Sequence, residues 1–381
     1  MKHITSETKL LSRASKSNGI KINILLFLGS CFISLGLAEG ALRYFTLFPI
    51  HGHNNLQFHR LLGYTLSPKL ADVDRDGFRN PSGVRTEIIV IGDSHTQGYN
   101  VTYEDSWPAK FSSKIKKPVY NFGVGGYGVL HYGVILATLP VDTNEIILGL
   151  YIANDFDYSN TPLNECITEL GRQAIEREFK LTVPRCEEEV VYNELWTIVR
   201  ERSALYSAFS YMSDRLLSKF PFRQKEAKAK TNVEPVNEID GIPVRLRRHQ
   251  SFTDRTNPKV AERVDYFVAL MERFKQLHPA IILKVLMIPS KELVLHSAEL
   301  KCPRNPPSGV VLNEIELRNY VMSALMAAGF QIEDGLPFIL EKYCGSSREA
   351  RDGMYPAFDQ HPFAEGYEAY AQAAYVLYNH H

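Results

Sequence analysis

The chain has little cysteine and no excess of charge of either sign. Its 381 residues include five cysteines and no C-x-x-C pair, which argues against a structural zinc site. Its 43 basic residues are balanced by 43 acidic ones. Nucleic-acid binding by the chain as a whole is excluded, because it needs a basic surface that displaces counterions from phosphates. With 45% apolar residues, this length predicts one large globular domain or two ordinary ones.

Charge is also absent from residues 22–38, next to a basic flank. Residues 1–21 carry five basic side chains and one acidic one, Glu7. Because positive flanks stay in the cytoplasm, we predict a cytoplasmic tail over residues 1–21, a transmembrane anchor over 22–42, and everything after it outside. A cleaved signal peptide is disfavoured, since no A-x-A-like site follows the apolar run. Lipoprotein processing at Cys31, in the sequence Leu-Gly-Ser-Cys, is the alternative.

Beyond the anchor, residues 43–85 are rich in turn residues and are interpreted as a stalk and lead-in. Four apolar runs bounded by chain breakers then predict buried strands over residues 87–91, 119–121, 145–152 and 281–288. Such continuous runs suit parallel strands covered on both faces. Since helical stretches over 106–115 and 261–277 alternate with these strands, we predict a doubly wound α/β domain over 86–381. Residues 156–260 interrupt the alternation and are predicted to be a helical and irregular insertion.

Polar and glycine-rich motifs follow three of the predicted strands. They are Gly-Asp-Ser-His (92–95), Asn-Phe-Gly-Val-Gly-Gly (121–126) and Ile-Ala-Asn-Asp (152–155), and Asp-Gln-His-Pro (359–362) lies near the C-terminus. Because ligands bind at the carboxyl ends of parallel strands, we expect these motifs to form one site. A serine becomes a good nucleophile when an imidazole accepts its proton and a carboxylate orients that imidazole. The motifs therefore contain the groups for acyl transfer.

In order and placement, these motifs resemble those of the SGNH/GDSL hydrolase superfamily, over residues 75–155 and 260–378. The resemblance implies a flavodoxin-like parallel sheet and a serine esterase. It also implies a role for each residue: Ser94 is the nucleophile, His361 the general base and Asp359 the acid that orients it. Gly126 N–H, Ser94 N–H and the Asn154 amide would form the oxyanion hole. The basic N-terminus, the sequence AEGALR and the sequence DGFRN are similar to those of membrane-anchored members.

Two positions depart from the family pattern. Ile152 stands where the third motif usually begins with glycine. One residue separates Asp359 from His361 where many members have two, which leaves Asp352 as the alternative acid. Pro362 favours an extended conformation at His361, and an extended segment brings side chains two positions apart to the same side. We interpret the neighbouring side chains as structural or give them no role: Asp93, His95, Trp107, Tyr127, Tyr132 and Asp155.

We therefore expect a serine esterase or acyl hydrolase that acts on an ester-linked carbohydrate or lipid. It would lie on the periplasmic side of the cytoplasmic membrane and need neither a metal nor an organic cofactor. The alternative is an O-acyltransferase that modifies a polysaccharide of the cell envelope, and the third hypothesis is a catalytically silent envelope protein that binds glycan or lipid. Four cysteines follow the anchor, and we favour the disulfides Cys166–Cys186 and Cys302–Cys344 over buried thiols.

Overall fold

The computed structural model describes residues 27, 29–30, 34–38, 56–84, 86–156, 167–185, 237–239, 242–244, 253–301, 311–345, 354–355 and 359–380. The chain divides into two compact units. One comprises Leu56–Val191 and Thr231–His381, and the strands and helices named below belong to it. The other comprises Met1–Asn55 and Tyr192–Lys230; its described residues, 27, 29–30 and 34–38, are helical.

A parallel sheet of five strands forms the centre of the first unit. In chain order the strands of this unit are β1 (Leu56–His59), β2 (Gly63–Leu66), β3 (Ile88–Gly92), β4 (Tyr120–Asn121), β5 (Glu145–Tyr151), β6 (Asn237–Ile239), β7 (Ile242–Val244), β8 (Ile282–Ile288) and β9 (Gln331–Asp334). The parallel sheet has the order β4-β3-β5-β8-β9, while β1–β2 and β6–β7 are antiparallel pairs. This is the flavodoxin-like order, whose switch point, the usual place for a ligand, lies between β3 and β5.

Helices cover both faces of the sheet. In chain order they are α1 (Ser94–Gln97), α2 (Trp107–Ile115), α3 (Val129–Ala137), α4 (Glu169–Phe179), α5 (Pro258–Leu277), α6 (Lys291–Lys301), α7 (Leu312–Ala327), α8 (Gly335–Gly345) and α9 (Ala364–Asn379). Alternate side chains of the central strands enter the two layers, because successive residues of a strand point to opposite faces. Ile146, Leu148 and Leu150 of β5 pack with α3, α4, α5 and α7, whereas Ile147 and Tyr151 pack with α2, α6, α8 and α9.

The predicted doubly wound α/β fold is confirmed. The four predicted strands are β3, β4, β5 and β8, and the two predicted helices are α2 and α5. The Ser106 side chain caps α2 by accepting a hydrogen bond from Ala109 N–H. The Asn257 side chain caps α5 by accepting one from Lys259 N–H. Tyr367 and Tyr370 of α9 are fully buried and pack in the core.

The compact unit that contains the sheet includes residues from Leu56 onward. Residues 56–85 of this unit are predicted as lead-in. The hairpin β1–β2 buries Leu62 and Leu66, and Phe78 is buried in the same core layer. Part of the predicted insertion also belongs to the core, since Ile175 and Phe179 of α4 are fully buried. Residues 186–236 of the predicted insertion lie outside the described residues.

The predicted anchor lies mostly outside the described residues and stays a prediction. Within the described part of the chain, no helix combines the length and the apolar character needed to cross a membrane. Cys344 is disulfide-bonded. The other four cysteines are not among the described residues, so the pairings Cys166–Cys186 and Cys302–Cys344 and the processing at Cys31 also stay predictions.

Candidate active site

Ser94 begins a short helix at the carboxyl end of β3. The chain turns sharply between strand and helix, and Gly92 makes this possible: a Cβ there would lie 2.0 Å from Thr96 Oγ1 and 2.9 Å from Gly149 O. The Asp93 carboxylate caps α1 by accepting a hydrogen bond of 2.9 Å from His95 N–H. Ser94 is 7% exposed, so its hydroxyl lies at the edge of the sheet with little access to bulk water.

His361 joins Ser94 to Asp359. Its Nε2 lies 2.6 Å from Ser94 Oγ, and its Nδ1 lies 2.5 Å from Asp359 Oδ1. The same carboxylate oxygen accepts a hydrogen bond of 2.8 Å from the backbone N–H of His361. The structure thus brings three predicted site residues into one chain of contacts, a serine, an imidazole and a carboxylate. The alternative acid, Asp352, lies outside the described residues.

The loop that carries Asp359 and His361 is held from the interior by α6. Lys291 Nζ donates to the carbonyl oxygen of Asp359 at 3.4 Å. Gln360 donates to Glu292 at 3.5 Å and accepts from the Tyr151 hydroxyl at 3.3 Å. Lys291 and Glu292 are 2% and 1% exposed. Lys291 therefore fixes the backbone of the loop 359–361, and Glu292 fixes its middle residue, Gln360.

Lys291 and Glu292 are not among the predicted site residues, although the sequence contains a signal for them. Pro-Ser-Lys-Glu (289–292) directly follows the apolar run that forms β8, and β8 lies in the parallel sheet. Charged residues at the carboxyl end of a buried parallel strand meet the same criterion that singled out the other motifs. The segment 289–292 differs from the other motifs because it matches no motif of the family that the chain resembles.

The glycine loop after β4 lies against Ser94. Gly125 N–H donates to Gln97 Oε1 at 2.7 Å, and a Cβ on Gly125 would lie 3.5 Å from Ser94 Cβ. Tyr127 N–H donates to Val124 O at 3.1 Å, which closes a turn with Gly126 at φ 82°. A positive φ at this turn position favours glycine. Among the described residues, the backbone N–H of Gly126 donates no hydrogen bond, whereas the backbone N–H of Gly125 donates to Gln97.

Asn154 lies in the turn after β5, the strand next to β3. Asp155 fixes this turn, because its Oδ2 accepts from Tyr151 N–H at 2.8 Å. The backbone oxygen of Asp155 accepts from Val129 N–H at 3.2 Å and so joins the turn to the glycine loop. The Asn154 turn, the glycine loop and Ser94 therefore share one edge of the sheet. Ile152, the departure from the family pattern, is fully buried in the core.

Two rings lie on the His361 ring. His95 packs on it with ring centroids 4.7 Å apart, and Tyr99 does so at 4.8 Å. His95 is fully buried and also contacts the Tyr151 ring at 4.1 Å. Burial, and then the charge of His361, hold the pKa of His95 well below its usual range, so this imidazole is neutral. The motifs assign no role to His95, and the structure places its ring against that of His361.

The lead-in segment braces the loop that carries Tyr99. The Arg79 guanidinium donates to Gly98 O at 2.6 Å and to Val101 O at 2.8 Å. Asn80 pairs with the backbone of Asn121 at 2.8 Å and 3.1 Å, just before the glycine loop. The sequence DGFRN therefore ties together the loops that follow β3 and β4.

Three carboxyl groups near the site differ in protonation. Burial raises the pKa of Asp359, but the hydrogen bonds from His361 and its charge outweigh this and hold the pKa below its usual range. Burial raises the pKa of Asp93 to about 6, against the opposing charge of His361. Burial and the charge of Asp93 raise the pKa of Asp155 well above its usual range. Asp359 is therefore the ionised carboxylate on the imidazole.

The described part of the chain contains no cluster of three or more His, Cys, Asp or Glu side chains arranged to hold a metal ion.

Comparisons with known proteins return solved structures. No family model matches the chain, and neither does any curated protein. A lipolytic protein of the G-D-S-L family from Desulfitobacterium hafniense DCB-2 is 14% identical, with 77% of this chain and 99% of that chain covered and a TM-score of 0.35. Phospholipase A1 from Streptomyces albidoflavus NA297 is 12% identical, with 77% and 97% covered and a TM-score of 0.37. At these TM-scores neither similarity supports a conclusion about this chain.

This chain's own evidence is its sheet order, which is flavodoxin-like, and its four motifs, which resemble those of the SGNH/GDSL hydrolases.

The raised pKa of Asp93 predicts how the Asp93→Asn variant differs from the wild type. A carboxyl group whose pKa is higher when folded stabilises the fold below its unfolded pKa and loses that contribution as pH rises through the folded value. Between about pH 4 and pH 7, we expect the wild type to lose up to about 3 kcal/mol relative to Asp93→Asn, as a shift of about two pKa units implies. Thermal unfolding of both proteins across this range measures it, and a constant difference would contradict the assignment.

Proposed function

We propose that this protein is a serine ester hydrolase that works through an acyl-enzyme on Ser94. The observation that carries the proposal is the pair of contacts of His361, one to the Ser94 hydroxyl and one to the Asp359 carboxylate. A serine in contact with a base, and a base oriented by a third group, is the arrangement that activates a hydroxyl for attack on a carbonyl.

In the first half-reaction, Ser94 Oγ attacks the ester carbonyl carbon while His361 Nε2 takes the hydroxyl proton. The C=O bond becomes a C–O⁻ bond in a tetrahedral intermediate. As this intermediate collapses, the bond to the alcohol oxygen breaks and His361 returns the proton to that oxygen. Water then repeats the steps on the acyl-enzyme and releases the carboxylic acid. Asp359 stays ionised and stabilises the imidazolium that forms in each step.

The oxyanion would be stabilised by hydrogen-bond donors at the edge of the sheet. We assign these to Ser94 N–H, Gly126 N–H and the Asn154 side-chain amide. The assignment of Gly126 rather than Gly125 is supported by the use of Gly125 N–H in a bond to Gln97. Donors held in place before the reaction stabilise the developing charge without reorganisation, which is usually the largest contribution of such a site.

An O-acyltransferase is the alternative, because a polysaccharide hydroxyl can replace water in the second half-reaction. It would use the same acyl-enzyme and the same residues. A silent binding protein is the weaker hypothesis, since binding alone does not need a serine, an imidazole and a carboxylate in contact. We also propose that the site faces the periplasm, with the chain anchored in the cytoplasmic membrane through residues 22–42.

We expect substitutions in the triad to abolish ester hydrolysis by the full chain. Ser94→Ala and His361→Ala should each lower kcat on 4-nitrophenyl acetate by on the order of 10⁴-fold, because the nucleophile or its base is removed. Asn154→Ala should lower it by roughly 10²–10³-fold through the loss of one oxyanion donor. Asn144→Ala, at the opposite end of β5, is the matched control and should keep full activity.

Two outcomes of that experiment would contradict parts of the assignment. Wild-type turnover in Ser94→Ala would show that Ser94 is not the nucleophile. A mild effect of Asp359→Ala together with a severe effect of Asp352→Ala would transfer the role of the acid to Asp352.

The rings on His361 predict a difference between two variants of His95. Since the neutral His95 contributes an aromatic face to the His361 contact, His95→Phe should keep kcat within about threefold, whereas His95→Leu should lower it by about tenfold. An aromatic ring against His361, here tilted by 39°, stabilises the imidazolium and its orientation, and leucine offers no ring. Equal losses in both variants would show that the ring nitrogens of His95, rather than its face, are what His361 needs.

The proposed location predicts the behaviour of reporters fused after the C-terminus. The basic flank before residues 22–38 should keep the N-terminus in the cytoplasm. Alkaline phosphatase, which works only outside the cytoplasm, should therefore be active in the fusion, and a reporter that works only inside should be inactive. The reverse pattern would overturn the topology. A mature N-terminus at lipid-modified Cys31 would favour the lipoprotein alternative.

A further inference from the structure

The backbone N–H of Gly126, assigned above as an oxyanion donor, lies in a tight turn from Val124 to Tyr127. Tyr127 N–H donates to Val124 O at 3.1 Å and closes the turn. The torsion φ is 82° at Gly126 and is not positive at Gly125. These signs are those of a type II turn, in which the third residue favours glycine. The peptide unit between Gly125 and Gly126 is therefore the central unit of this turn.

The central peptide unit of a tight turn can take two orientations. Turn types I and II differ mainly by a rotation of this unit through about half a turn. Most residues disfavour the positive φ of type II, whereas glycine accepts both signs of φ. Because residues 125 and 126 are both glycine, the local sequence leaves both orientations open. A contact with another part of the chain has to select one of them.

The Tyr64 hydroxyl makes such a contact. It donates a hydrogen bond of 3.1 Å to Gly125 O from 61 positions earlier in the chain. In a trans peptide unit the C=O group and the following N–H group lie in one plane and point in opposite directions. A hydrogen bond to Gly125 O therefore fixes the direction of Gly126 N–H. It also polarises the shared peptide unit, which strengthens the N–H as a donor.

The Tyr64 ring is itself held in place by the core. Leu66, on the same face of β2, is buried in the core layer against which Tyr64 packs. The Tyr64 ring contacts the rings of Tyr127 and His131 edge to face, with centroids 5.3 Å and 5.6 Å apart. The Tyr127 hydroxyl donates to Tyr64 O at 2.7 Å. The hairpin β1–β2 thus presents a phenol in a fixed position to the turn.

The peptide unit before Gly125 is fixed by a different side chain. Gln97 Oε1 accepts a hydrogen bond of 2.7 Å from Gly125 N–H. A Cβ on Gly125 would lie 3.3 Å from that oxygen and 3.5 Å from Ser94 Cβ, so the turn lies close to the nucleophile. Gln97 therefore binds the N–H of one peptide unit, and Tyr64 binds the C=O of the next. The N–H of this second unit is the one that donates no hydrogen bond within the described part of the chain.

We propose that Tyr64 is a positioning residue of the active site: its hydroxyl holds the peptide unit 125–126 in the orientation that directs Gly126 N–H toward the oxyanion. This inference rests on the reaction proposed above, and the hydroxyl acts through the peptide unit without touching the substrate. It gives the hairpin β1–β2 a function in catalysis. Without the hydrogen bond, the turn would also populate the other orientation, in which the oxyanion has one donor fewer.

The Tyr64→Phe variant of the full chain removes the hydroxyl and keeps the ring. We expect kcat and kcat/KM on 4-nitrophenyl acetate to fall together by about tenfold, with KM unchanged, because the donor acts on the oxyanion and not on the bound ester. The matched control is Tyr127→Phe, which removes the other hydroxyl between the same hairpin and the same turn and should keep kcat within about twofold. Equal losses of kcat in the two variants, or an effect of Tyr64→Phe on KM alone, would overturn the proposal.

A measurement on the resting protein separates this inference from the proposed reaction. Residues 125 and 126 are the only Gly-Gly pair in the sequence. A chain labelled with glycine that carries ¹³C at the carbonyl and ¹⁵N at the amide therefore gives one carbonyl–amide correlation in NMR, that of this peptide unit. Tyr64→Phe should move the Gly125 carbonyl resonance upfield, because the carbonyl loses a hydrogen-bond donor, and Tyr127→Phe should move it less.

The two readouts distinguish a failure of the reaction from a failure of the role of Tyr64. An upfield shift in Tyr64→Phe, without esterase activity in the wild type, would contradict the reaction and keep the contact of Tyr64 with the turn. Ester hydrolysis with the same kcat in the wild type and in Tyr64→Phe, or a carbonyl resonance that does not move, would overturn the role of Tyr64 and keep the reaction.

Discussion

The hydrogen bond between Ser94 and His361 joins residues that are 267 positions apart in the chain. It spans 2.6 Å, so small shifts of either loop break it. Ser94 is fixed by the end of β3 and by the turn at Gly92, while His361 is fixed by the loop before α9. Helix α9 packs in the same core layer as α2 and one face of the sheet. This packing brings His361 to Ser94.

Both loops are held by groups that lie outside the contacts among Ser94, His361 and Asp359. Lys291 and Glu292 support the His361 loop from the interior, and Arg79 supports the loop after α1 from the other side. A hydrogen bond of ordinary length to a charged group contributes about 1.5–3 kcal/mol. The Arg79 bonds, at 2.6 and 2.8 Å, have that length, whereas the Lys291 and Glu292 bonds, at 3.4 and 3.5 Å, are long and contribute less. Placing three such groups around two loops stabilises one geometry of the site. This explains why a segment that reads as a lead-in in the sequence is integrated into the domain.

The sequence predicts those parts of the structure whose local pattern and tertiary role agree. Strands β3, β5 and β8 are covered on both faces, so they are continuous apolar runs that can be recognised without a structure. Strand β9 is an edge strand with the sequence Gln-Ile-Glu-Asp and partial exposure, and it has no such signature. The hairpin β1–β2 was missed because its strands are short and only half buried. Lys291 could have been found, but its partner is a backbone carbonyl remote in sequence, which no local pattern contains.

Burial distinguishes the carboxyl groups that surround the site. Asp93 and Asp155 each bind backbone N–H groups of their own turns, yet burial raises the pKa of both. Asp359 is only half buried and bonds directly to His361, and its pKa is lowered. Opposite shifts in neighbouring acids assign different roles to them. The ionised acid is the one in contact with the imidazole, while the buried acids hold the turns after β3 and β5. A negative charge is thereby placed on one side of His361, where it would stabilise the imidazolium of the proposed reaction. The turn after β5, which carries the proposed oxyanion donor Asn154, holds an acid that burial drives toward its neutral form.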